Sequence, residues 1–243
     1  MIDIHVHFGK FRDIQLNIPD IIENLTKQGI NQIGLMPLLN ETGSNLNNAH
    51  STLKKYYSIY ETQIIPILWI YPKISIQKIE RLISEIPYKI IKIHGYLHHW
   101  DYENITRIIN FTEQKKLPIM FHTGGCENSD AGFYMQICKN FPKQKIILAH
   151  GRPIEQTIEI LQLCKNVWVD TAFMPTENIK LLIDKDFANK ILFGTDYPIM
   201  KHFDNSINLD KWYKQNTKEI IETIGNKYFE QLSSNNIAEF LNN

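Results

Sequence analysis

The chain has 243 residues, of which 43% are hydrophobic and 21% charged, close to the roughly 250 residues typical of one closed barrel of alternating strands and helices. This composition supports a buried core and excludes an intrinsically disordered chain. Lys plus Arg and Asp plus Glu are both 26, so the formal net charge is zero, which argues against the basic excess of a nucleic-acid or anionic-membrane binder.

Short runs rich in Ile and Val recur along the chain, separated by amphipathic stretches. The runs predict eight strands at 2–8, 32–37, 64–70, 90–94, 118–123, 145–150, 167–171 and 191–195. They are apolar throughout rather than alternating, as strands buried on both faces are. Helices are predicted between them, for example over 74–86, 102–116 and 153–163, the last with Pro153 at its first position. From about Asn208 the chain reads as a helix, a turn at Gly225-Asn226, and a final helix capped by Ser233-Ser234. Eight alternating units predict an α/β fold, a single-domain (β/α)₈ TIM barrel over 1–243 with a short C-terminal helical extension. An open doubly wound sheet is the runner-up.

The three cysteines, Cys126, Cys138 and Cys164, are odd in number and form no C-x-x-C pair, which predicts a reducing cytoplasm. No apolar run approaches the ~18–20 residues needed to span a bilayer. Chemistry-bearing residues start at Asp3, from which no signal peptide is expected.

Four predicted strands end in residues that bind metals or move protons. His5 and His7 lie two apart on the first, so both point to one side. His122 ends the fifth, His150 the sixth and Asp196 the eighth. All five fall at C-terminal strand ends, the rim on which barrel active sites are built. Imidazole and carboxylate suit Zn²⁺, which acidifies a water toward a pKa of ~7 and leaves a neighbouring His or Asp to carry protons. Each residue alone has a bland explanation as core, turn or cap; five such groups buried at one rim would be costly without a cation or mutual pairing.

The segments Ile2-Asp3-Ile4-His5-Val6-His7-Phe8-Gly9, Ile91-Lys92-Ile93-His94, Phe121-His122-Thr123-Gly124, Leu148-Ala149-His150-Gly151, Val167-Trp168-Val169-Asp170 and Ile191-Leu192-Phe193-Gly194-Thr195-Asp196-Tyr197-Pro198 occur in one order across the first two hundred or so residues. In this the chain resembles the amidohydrolase superfamily, in particular the amidohydrolase-2 branch that includes aminocarboxymuconate semialdehyde decarboxylase. The resemblance implies His5, His7, His122 and Asp196 as ligands of one divalent metal ion, Zn²⁺ or alternatively Mn²⁺. It also implies catalytic roles for His150 and Asp196 in orienting or deprotonating water and shuttling the proton. The implied activity is metal-dependent hydrolysis of a small-molecule amide, lactone or ester. The alternative is non-oxidative decarboxylation or hydration of a small carboxylic acid at the same site. A homodimer is implied too.

Several neighbours have two readings. Lys92 is either a carboxylated bridge between two metals or a positive charge near the substrate. His94, Trp69 and Tyr197 are pocket wall or packing, and Met36 likewise. Arg152 either holds a substrate carboxylate in bidentate fashion or forms a surface ion pair. Asp170 is a candidate acceptor fixing a histidine tautomer. His98-His99-Trp100 is a candidate lid segment, and His50 and His202 read as surface or rim. A TatD-like nuclease would want a Glu and a basic rim where this chain offers Lys92 and no net charge. A barrel that binds metal without turnover is the non-enzymatic alternative.

Overall fold

The computed structural model describes residues 1–11 and 14–242. Nine strands form one sheet: β1 (Ile2–Phe11), β2 (Ile14–Leu16), β3 (Gln32–Pro37), β4 (Ile64–Ile70), β5 (Ile90–Ile93), β6 (Ile119–His122), β7 (Ile146–Ala149), β8 (Val167–Asp170) and β9 (Ile191–Leu192). β2 folds back antiparallel on the end of β1; every other neighbouring pair is parallel.

The parallel strands curl until the last meets the first. Ile4 N–H donates to Phe193 C=O at 2.9 Å, Asp196 N–H to His5 C=O at 2.8 Å and His7 N–H to Tyr197 C=O at 2.8 Å. The eight parallel strands therefore close into a (β/α)₈ barrel, and the open doubly wound alternative is excluded. At the seam Gly194 lets the strands approach: a Cβ there would stand 2.9 Å from the Cβ of His5.

The strands are rich in Ile and Val because both faces are covered. All seven residues of β4 are buried, and each fully buried Ile contributes about 1.5–3 kcal/mol. The predicted strands at 32–37 and 64–70 match β3 and β4, and the other matches end one to a few residues apart. β2 was not foreseen: three residues are too few to show a period.

Between the strands, helix Ile76–Glu85 starts at Ser75, whose hydroxyl accepts from Lys78 N–H, and helix Tyr102–Lys115 at Asp101, which accepts from Asn104 N–H. Each such cap is worth about 1 kcal/mol. Pro153 precedes rather than begins helix Ile154–Leu163.

The C-terminal segment runs as helix Leu209–Ile224, a turn at Gly225 with φ +82°, and a helical stretch from Asn226 to Asn242 containing a π turn at Gln231–Asn235. The expected cap at Ser233-Ser234 is therefore a correction: both serines lie inside the π turn, and Ser233 is buried. This segment is fastened to the barrel by Asn236, whose amide donates to Ala188 C=O and Ile191 C=O at 2.7 Å, and by Phe193 N–H donating to Leu232 C=O. Among the described residues no helix is long and apolar enough to cross a membrane.

Candidate metal centre

The residues predicted at the strand ends converge on one pocket of about 450 Å³ at the C-terminal mouth of the barrel. β1 supplies His5 and His7, β6 supplies His122, and the turns after β7 and β9 supply His150 and Asp196. Both turn residues have left-handed backbones, His150 at φ +73° and Asp196 at φ +62°. That conformation costs a non-glycine residue on the order of 1–3 kcal/mol and persists only where the surroundings enforce it.

The surroundings are identifiable. His150 N–H donates to Asp170 Oδ1 at 3.0 Å. Ahead of Asp196, Thr195 is held by Asp3, whose carboxylate accepts from Thr195 N–H, Thr195 Oγ1–H, Tyr213 O–H and His5 N–H at 2.6–3.1 Å. Asp3 and Asp170, both fully buried, thus set the backbone from which the site is built.

Asp196 Oδ1 lies 2.7 Å from His7 Nε2 and 3.3 Å from His5 Nε2. His5 Nδ1 lies 2.8 Å from Asp170 Oδ2, which assigns the ring hydrogen to Nδ1 and leaves the Nε2 lone pair toward Asp196. His150 Nδ1 faces the Ala172 carbonyl at 2.9 Å, an acceptor only, so its Nε2 likewise carries a lone pair. That Nε2 stands 3.0 Å from His122 Nδ1. His5, His150 and Asp196 each bring one ligand-type atom within 4.8 Å of the others.

Protonation states fit the same picture. Burial pushes His7 down to about 4 and His150 to about 3, and holds His122 and His94 well below the usual imidazole range. Burial alone would raise Asp196, but His5 and the hydrogen bond from His7 hold it well below the carboxylate range. Neutral imidazoles beside an ionised carboxylate are the states in which these groups ligate a metal. Among the described residues, His7 Nδ1 and Lys92 Nζ are buried without a hydrogen-bond partner. The donor set and its tautomers fit a divalent cation.

Lys92, 1% exposed, lies on the pocket floor, and burial lowers its ammonium to about 8 against the pull of Asp170 and Asp196. Trp69 and His94 line the wall: the indole stacks on His94 with centroids 5.0 Å apart, and His94 stacks on His122 at 3.8 Å. His94 also caps the turn Gly95–His98 by accepting from Leu97 N–H at 3.2 Å. Arg152 reaches the rim, its Nη2 donating to Phe173 C=O at 2.8 Å.

Three expectations need correction. Tyr197 does not line the pocket; next to Asp196 its side chain points the other way, packs against Tyr213 and accepts from Asn24 through its hydroxyl. His50 is not at the surface but buried, with Nδ1 2.9 Å from Tyr88 Oη and Nε2 3.3 Å from Glu85. His98 and Trp100 are buried in packing rather than free as a lid, with His98 set edge-on to Trp69. His202 does line the rim. Tyr96, Phe173 and Phe203 at the mouth were not anticipated, because loop residues carry no period by which to place them. Asp3 was missed as a site support, although a lone acid inside an apolar strand was the available signal.

The fold and site find parallels among known proteins. An amidohydrolase family model (Amidohydro_2) matches residues 89–220, more than half of the chain. No curated protein matches the sequence. A probable 2-pyrone-4,6-dicarboxylic acid hydrolase from Acinetobacter baumannii, crystallised with citric acid, is 14% identical with a TM-score of 0.75, covering 99% of this chain and 98% of its own. A 4-oxalomesaconate hydratase from Rhodopseudomonas palustris is 13% identical with a TM-score of 0.68, covering 99% and 95%. A dihydroxybenzoic acid decarboxylase from Polaromonas, with bound manganese, is 15% identical with a TM-score of 0.70, covering 99% and 96%. At such identities the likeness is one of fold. The family is metal-dependent, and its members are enzymes that include hydrolases, hydratases and decarboxylases. This chain belongs to the amidohydrolase-2 family.

Proposed function

We propose that this protein is a metal-dependent hydrolase of a small-molecule amide, lactone or ester. The observation that carries this is the convergence of His5, His150 and Asp196 within 4.8 Å, with His7 2.7 Å from the same Asp196 oxygen and the His5 and His150 tautomers fixed by outer partners. By the family resemblance His5, His7, His122 and Asp196 would hold one divalent cation, His122 joining the cluster through its 3.0 Å approach to His150, and zinc is the ion proposed on its liking for imidazole and carboxylate. When bound, it supplies Lewis acidity, polarising a carbonyl and bringing a water's pKa toward ~7.

The chain's own residues do the rest. Asp196, kept ionised, accepts a proton from the attacking water and passes it to the leaving group. His150, neutral and with its Nε2 lone pair turned inward, accepts a hydrogen bond from the attacking water or takes its proton in place of Asp196. Trp69 and His94 wall off one side of the pocket, and Arg152 offers a guanidinium to a substrate carboxylate. A reducing cytoplasm is the compartment proposed, in keeping with Cys126, Cys138 and Cys164 all being free thiols.

Arg152 at the rim also favours a second reading, decarboxylation or hydration of a small carboxylic acid at the same centre. Function belongs to the pocket and not the barrel, so the test is a direct one. Metal-stripped protein reconstituted with Zn²⁺ or Mn²⁺ is assayed against lactones and amides and, in parallel, against small unsaturated carboxylic acids. Metal-dependent turnover of the first group supports hydrolysis; turnover of only the second replaces it.

A further inference from the structure

The polar atoms on the pocket floor are not all accounted for by a cation and a proton shuttle. Lys92 Nζ and Trp69 Nε1 are both buried, and neither has a hydrogen-bond partner among the described residues. They are neighbours: Trp69 on β4 and Lys92 on β5 are paired in register, so their side chains leave the sheet on the same side. Both line the pocket that holds His5, His7 and Asp196. Two adjacent donors buried without an acceptor are costly in a folded protein and call for one. The carboxylates nearby are otherwise engaged, Asp196 with His5 and His7, and Asp170 with His5 and the His150 backbone.

We infer that Lys92 and Trp69 form a second anion subsite on the floor of the pocket, complementing Arg152 at the rim, and that the substrate is therefore a small molecule with two acidic groups, a dicarboxylate. The pocket, about 450 Å³, is of a size for such a ligand, and the Trp69–His94–His122 column offers ring edges and faces to a planar body. This inference rests on the pocket being the substrate site, but not on which bond is broken there.

The test is binding of unreactive probes to the zinc-loaded protein by calorimetry: isophthalate with two carboxylates, benzoate with one. Isophthalate is expected to bind at least about tenfold more tightly, the scale of one charge-assisted contact. Lys92→Met is expected to remove that preference while leaving benzoate within about twofold. Trp69→Phe keeps the ring and loses the N–H, and is expected to weaken isophthalate alone. Equal affinity for the two probes, no binding of either, or an equal loss of both in Lys92→Met would overturn the subsite. So would a Lys92 found carboxylated between two metal ions. Absence of metal-dependent turnover with the isophthalate preference intact would instead remove the hydrolase reading and leave the subsite standing.

Discussion

Asp170 and His5 meet across the closing seam of the barrel, Oδ2 to Nδ1 at 2.8 Å, though 165 residues separate them in sequence. The other carboxylate oxygen of Asp170 accepts from the backbone N–H groups of His150 and Ala172 at 3.0 and 3.1 Å. One buried acid therefore fixes the tautomer of a proposed metal ligand and the left-handed backbone of the proposed proton carrier.

Asp170→Asn keeps the shape but removes the charge, and its amide has only one acceptor oxygen for three donors. We expect zinc affinity to fall by about 10–100-fold, the usual cost of losing a partner behind a ligand. Competition with a chromogenic chelator reads this, with circular dichroism confirming that the variant is folded. Unchanged affinity would remove Asp170 from the support of the site.

His122 and His150 face each other at 3.0 Å, yet they are assigned different work. His122→Ala is expected to lower metal content along with turnover. His150→Ala is expected to keep its metal and lose on the order of 10²–10⁴-fold in kcat. Metal analysis beside steady-state kinetics separates them; the reverse pattern would exchange their roles.

Asp3 lies beneath the site with four donors converging on it, and burial pushes its carboxyl up to about 6. Asp3→Ala strands the Tyr213 and Thr195 hydroxyls and two backbone N–H groups. The expected cost is about 3 kcal/mol or more, read as a lowered midpoint in urea. A change below about 0.5 kcal/mol, the range of ordinary surface substitutions, would show that the network does not hold the seam.

Away from the site, His50 is buried between Tyr88 and Glu85, and burial lowers its pKa from the usual 6.5. The unfolded chain then takes up a proton near pH 6.5 that the folded His50 resists. The stability this neutral imidazole contributes is present above that pH and is lost as pH falls below it. Melting temperatures measured from pH 7.5 to 5.5 should decline more steeply for the wild type than for His50→Gln; parallel curves would contradict the assignment.

Much of this was legible in the sequence because it depends on local pattern. Apolar runs between amphipathic stretches located all eight barrel strands, and the His5–His7 spacing put both rings on one side. Closure, once formed, brought His122, His150 and Asp196 to the same rim. What was not legible depends on the direction of a single residue past a strand end. Tyr197 was placed by its position next to Asp196, but its side chain leaves the pocket and packs against Tyr213. His50 looked like a surface residue on a polar helix, since the partners that bury it, Glu85 and Tyr88, arrive from more than 30 residues away. The aromatic mouth formed by Tyr96, Phe173 and Phe203 is assembled from three loops that only the closed barrel brings together.

The central claim, a single cation held by His5, His7, His122 and Asp196, is tested most directly by anomalous diffraction at the zinc edge from crystals of the zinc-loaded protein. One peak is predicted per chain, within bonding distance of those four side chains, with Lys92 unmodified. No peak at the barrel mouth, or two peaks bridged by Lys92, would contradict it.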